Sequence, residues 1–122
     1  MHCDISSADA YQAAVVRATA EFGRVDCVLN SAVKMAPGML VDLSLESWNT
    51  MLTVGLTGTF LMTQAAGRWM IDNQTKGSIV TMSSVGGHQP YGNSDPAALC
   101  GSVTNMDADQ LNAVFVRGDE YR

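Results

Sequence analysis

Val25-Asp26-Cys27-Val28-Leu29-Asn30 is a short, mostly apolar run with little polar alternation, the pattern of a strand buried on both faces of a parallel sheet. Ser78-Ile79-Val80-Thr81-Met82-Ser83 repeats it, and Leu111-Asn112-Ala113-Val114-Phe115-Val116 supplies a third candidate strand. The chain between and before these runs reads as helix. In residues 6–22, Tyr11, Val15, Ala18 and Phe22 recur at the spacing that stacks one helical face. Ser6 with Asp9 three residues on has the form of an N-terminal cap, and Gly23 stands where a left-handed turn ends a helix. Residues 31–42 contain Pro37 and Gly38 and read as a loop. Ser44 then places a hydroxyl at the start of a helical stretch reaching about residue 73. Gly55 and Gly58 interrupt it, each weakening a helix by roughly 1 kcal/mol relative to alanine. They mark either a joint between two helices or a place of close packing. Helices alternating with buried strands predict an α/β fold with a parallel sheet, one domain over residues 1–122.

Composition narrows the function classes. A hydrophobic fraction of 47% supports a packed core, and the eight methionines are scattered as gap-fillers are. The net charge of -5, with 12 acidic and 7 basic side chains and no long like-charge run, offers no footprint for nucleic acid or an anionic membrane. No apolar run reaches the roughly 18 residues of a bilayer-spanning helix, and His2 and Asp4 stand where a secretory leader would be basic. Cys3, Cys27 and Cys100 form no C-x-x-C pair, so reduced thiols and a cytoplasmic location are expected. His2 and His88 have no companion at ligand spacing, and no metal site is expected. Trp48 and Trp69 read as helix core.

Ligands of open parallel sheets sit beyond the carboxyl ends of the strands, and there the wording is distinctive. Asp4-Ile5-Ser6 lies before a helix, and Asn30-Ser31-Ala32-Val33 follows a strand. Trp48 precedes Val54-Gly55-Leu56-Thr57-Gly58-Thr59-Phe60, and Gly77-Ser78-Ile79-Val80-Thr81-Met82-Ser83-Ser84 closes another strand. In order and spacing these resemble the D-V-[ST], N-N-A-G, W-x(5)-V-N-L-T-G-T-F and serine-ending strand motifs of the short-chain dehydrogenase/reductase family. Leu111-Asn112-Ala113-Val114 is a fainter echo of a later V-N-A-V.

The resemblance implies a partial Rossmann-like doubly wound parallel sheet with flanking helices, lacking the first strands, and about half of a family member. It implies hydride transfer between NAD or NADP and a small-molecule alcohol or ketone, with Ser84 as a catalytic residue. Cofactor contacts are implied for Asp4, Ile5, Asn30, Ser31, Ala32 and Val54. Each has a plainer reading beside it: Ser84 can cap a turn, Asp4 can favour a helix dipole, and Asn30 can fix a loop through its own backbone.

The departures from the family pattern are chemical. Nothing before Asp4 supplies the glycine-rich turn that cradles a pyrophosphate. Gly55 stands at the asparagine of the long helix, and Val33 replaces the last glycine of N-N-A-G. No Y-x-x-x-K exists, the pair in which lysine lowers a tyrosine pKa for proton exchange. Matching A-A-Y-C to Ala97-Ala98-Leu99-Cys100 puts leucine at the tyrosine, and Val103 or a gap at the lysine. Tyr91 has Asp95 at i+4, which raises a phenol pKa rather than lowering it. The expectation is an oxidoreductase relative inactive on its own. The alternative is a non-catalytic module, homo-oligomeric or paired with a full-length relative. Small residues of the long helix, Gly58, Ala65, Ala66 and Gly67, would serve that contact, as would the apolar strand edge at residues 25–29.

Overall fold

The computed structural model describes residues 3–36 and 40–82. Ser84, Tyr91, Leu99, Val103, both histidines and the third candidate strand lie outside the described residues. The order is α1 (Ala8–Phe22), β1 (Cys27–Asn30), a single 3-10 turn (Leu40–Asp42), α2 (Leu45–Leu52), a π-helical turn (Thr53–Thr57), α3 (Gly58–Asp72) and β2 (Ser78–Thr81).

The start of α1 differs from the expected cap. Ser7, not Ser6, is the N-cap residue, and its side chain makes no capping bond. Ser6 instead donates from its backbone N–H (2.9 Å) and its hydroxyl (2.7 Å) to Asp4 Oδ1, so a short carboxylate closes the turn before the helix. At the other end Gly23 takes φ 78° and its N–H returns to the Thr19 carbonyl at 2.9 Å, the left-handed cap its position predicts. Tyr11 and Val15 are buried as the stripe requires, but Phe22 is 77% exposed, because at this end of α1 none of the described residues covers the stripe.

Ser44 caps α2 as expected, its Oγ accepting the Ser47 N–H at 3.1 Å. The interruption that follows proves to be both things the glycines suggested. Gly55 lies inside the π-helical turn that joins α2 to α3, where the Thr59 hydroxyl donates to its carbonyl at 2.7 Å. Gly58, three residues on, is the close-packing site: a Cβ there would stand 2.5 Å from Tyr11 Oη. Of the small residues expected to face a partner, Gly58, Ala66 and Gly67 are buried within the chain itself. They serve the α1–α3 and α3–sheet contacts instead.

The sheet among the described residues is one parallel pair, Cys27 opposite Ser78 through Asn30 opposite Thr81. Val28 packs with Met70, Ile79, Val25 and Trp69 under α3. Because side chains alternate along a strand, Leu29 and Val80, paired in register, belong to the other face. They are 61% and 43% exposed. The apolar runs predict burial on both faces, and the described residues cover one. No helix among them is long and apolar enough to cross a membrane, and none of their His, Cys, Asp and Glu side chains cluster as a metal site.

The glycines give a direct test of the packing. A Cβ at Gly77 would meet the Asp26 carbonyl at 2.8 Å and Met70 Sδ at 2.7 Å, whereas one at Gly55 would meet nothing within 4 Å. Gly77→Ala is therefore expected to lower stability by about 1–3 kcal/mol in urea unfolding, as overpacking does. Gly55→Ala should leave the midpoint unchanged or raise it, since alanine is the better helix former by about 1 kcal/mol.

Candidate functional site

A cavity of about 220 Å³ opens at the carboxyl end of β1. Ile5, from the turn before α1, Ser31 and Ala32, from the chain leaving β1, and Val54, from the π-helical turn, line it together with Asn30. Five of the six residues that the sequence singles out for a cofactor thus surround one space. Asp4 does not line it, and its carboxylate accepts the two bonds from Ser6.

Asn30 is nearly buried and its side-chain amide donates to Thr63 Oγ1 (3.2 Å) on α3 and Thr81 Oγ1 (3.4 Å) on β2. Its carbonyl accepts the Met82 N–H at 2.8 Å, and its amide also ties the last residue of β1 to the neighbouring strand and to the covering helix. Thr63 and Thr81 escaped the reading of the sequence. The signal was available, since an asparagine ending a buried strand must find acceptors within the core.

Tyr11, a core residue by its place in the stripe of α1, also lines the cavity, and its hydroxyl donates to the Ile5 carbonyl. Burial raises its pKa above the ordinary tyrosine value, with Cys3 and Asp4 adding to the rise. At neutral pH the phenol is therefore a protonated donor and not a base. Gly55 contributes only a carbonyl, already held by Thr59. Among the described residues no lysine or arginine lines the cavity, and those that do present backbone, hydroxyl, amide and apolar groups without a cation for a phosphate.

A family model described as enoyl-(acyl carrier protein) reductase matches residues 1–102. The chain belongs to the short-chain dehydrogenase/reductase family. It is 44% identical over 84 residues to D-threitol dehydrogenase of Mycolicibacterium smegmatis, covering 67% of this chain and 31% of that protein. It is 36% identical over 104 residues to the short-chain reductase NovJ of Streptomyces niveus, covering 85% of this chain and 39% of that one. A short-chain type dehydrogenase/reductase from Mycobacterium marinum superposes with a TM-score of 0.80 at 25% identity, over 87% of this chain and 44% of that structure. The NADP-bound structure of ElxO matches in fold with a TM-score of 0.74 at 22% identity. The chain thus spans well under half the length of these curated relatives. The parallel pair with its helices is accordingly a part of the Rossmann-like α/β fold of the family.

The Asn30 clamp can be measured. Asn30→Ala should cost about 1–3 kcal/mol, the range for removing a buried hydrogen-bonding partner. Thr63→Val should cost less in the Asn30→Ala background than in the wild type, because the bond it removes is already gone. Urea unfolding of the four proteins gives both numbers.

Proposed function

We propose that this chain derives from an oxidoreductase acting on a small-molecule alcohol or ketone with NAD or NADP, and that residues 1–122 by themselves hold the adenosine end of such a cofactor weakly and do not turn over substrate. The observation that carries the reading is the single cavity formed by Ile5, Asn30, Ser31, Ala32 and Val54. At about 220 Å³ it is smaller than the roughly 300–1,000 Å³ of sites that enclose a whole small ligand. With no cation among the described residues of its lining, it fits one uncharged end of a dinucleotide, and those residues leave the pyrophosphate without a counter-charge. When bound, a nicotinamide supplies or accepts hydride, and the protein must then move a proton at the substrate oxygen. The Tyr11 hydroxyl is already donated to the Ile5 carbonyl and its raised pKa makes it a weaker acid, and Leu99 and Val103 bring no acid or base to the positions the family uses. Ser84 alone could orient a carbonyl but could not exchange its proton at a useful pKa. The unpaired Cys3 and Cys27 suit a reducing cytoplasm.

Titration calorimetry should accordingly find no tight NAD or NADP site. A dissociation constant in the low micromolar range, about 8 kcal/mol of binding, would overturn the reading. Ketone reduction should stay at background, and Leu99→Tyr should not restore it, because neither the lysine nor a phosphate cradle returns with the tyrosine.

A second reading, a non-catalytic module that self-associates or pairs with a full-length relative, is favoured by the exposed Leu29 and Val80 side by side on the sheet. The edge of β1, which no strand among the described residues pairs, also offers backbone donors and acceptors. Light scattering separates the cases: oligomers are expected, and a monodisperse monomer that unfolds cooperatively would remove this reading.

A further inference from the structure

We propose that Tyr11 and Gly58 are a size-matched pair that sets the position of the Ile5 carbonyl, which makes Tyr11 a positioning residue for the adenosine end of the cavity. The inference rests on the cofactor reading above and names the residues that tune that site.

Three pieces of chain meet at one point. Tyr11 rises from α1 with its ring 2% exposed, and its hydroxyl donates to the main-chain oxygen of Ile5. Gly58, the first residue of α3, passes directly behind that bond. A Cβ on it would lie 2.5 Å from Tyr11 Oη and 3.1 Å from the Ile5 oxygen. The hydroxyl fits there because residue 58 has no side chain, and it is the hydroxyl that donates to the Ile5 carbonyl. All three residues line the same cavity, alongside Ser31, Ala32 and Val54. The wall formed by Ile5 is therefore fixed by a contact between two helices. A core phenylalanine at position 11 would fill α1's stripe as well as tyrosine does. The hydroxyl is the part of the side chain that stripe packing leaves unexplained, and a bond to the Ile5 carbonyl is its use.

The geometry makes the two positions interchangeable in volume. Tyr11→Phe removes the oxygen against which an added methyl at position 58 would collide. Each single change moves or frees the Ile5 carbonyl, and the double change removes the collision with the hydroxyl without restoring the bond.

Adenosine is the probe, titrated into the full-length chain and followed by protein amide shifts. Wild type, Tyr11→Phe, Gly58→Ala and the double variant are compared, with Val15→Ala as a control that thins the α1 core away from the cavity. Tyr11→Phe and Gly58→Ala are each expected to weaken adenosine about fivefold, the ratio that corresponds to one hydrogen bond. The double variant should bind no worse than the weaker single, and Val15→Ala should lower the unfolding midpoint while leaving adenosine affinity unchanged. Wild-type affinity in Tyr11→Phe, or losses that multiply in the double variant, would overturn the proposal, as would an equal loss in Val15→Ala. If adenosine does not bind the wild type, the cofactor reading and the positioning role fall together. The matched pair is then judged by unfolding: it fails if Tyr11→Phe destabilises Gly58→Ala as much as it destabilises the wild type.

Discussion

The pairing of β1 with β2 under α3 is the constraint from which everything else in the described structure follows. A four-residue parallel ladder has little stability of its own, and parallel strands can be joined only by a long crossover that returns the chain to the same end of the sheet. Here that crossover contains α2, the π-helical turn and α3, and it holds because Met70 and Ile79 are buried together beneath Trp69, Val25 and Val28. Gly77 lets β2 begin against the carbonyl of Asp26, which also accepts the Ser78 N–H at 2.9 Å. At the other end Asn30 locks the register, bonding both the opposite strand and the helix. Because the cavity begins where Asn30 ends the strand, the same bonds that fix the sheet fix the mouth of the site.

How much of this was legible in the sequence depends on whether a feature rests on local chemistry or on contacts between distant segments. The Ser44 cap, the Gly23 stop and the two strands are local: each needs only a residue type at a fixed offset from a hydrophobic run, and each is where the sequence places it. Phe22 shows the limit of periodicity, which gives a face but not what covers it. Ser6 shows the limit of cap motifs, since its hydroxyl had two possible acceptors and took the carboxylate of Asp4. The partners of Asn30 are 33 and 51 residues away, beyond the reach of any motif read along the chain.

The cavity was legible for a different reason. Ile5, Ser31-Ala32 and Val54 come from three places in the sequence, and no periodicity associates them. They were found together through the resemblance to a family, and the structure brings them to one space. What that resemblance leaves out is how this chain holds the space open. Tyr11 and Gly58 belong to none of the expected cofactor contacts, and a hydroxyl on one helix meeting the bare backbone of another becomes visible only when α1 and α3 are packed.

The residues that survive and those that differ from the family pattern divide along a physical line. Asn30 bonds across the core, Gly58 admits Tyr11, and Gly77 admits Met70 and the Asp26 carbonyl, so changing any of them costs folding stability whatever the chain binds. Gly55 stands at the opposite extreme. Its missing side chain would have pointed into open space, and the π-helical turn around it is held by the Thr59 hydroxyl on its carbonyl, a bond that any residue at this position can accept. An asparagine amide there has no structural duty among the described contacts, so its absence leaves the fold undisturbed. The fold and the cavity at the end of β1 are thus maintained by packing and hydrogen bonds that folding itself requires, whereas a side chain at position 55 has no such duty among the described contacts. A change at such a position can alter the chemistry a chain offers and still leave the cavity in place.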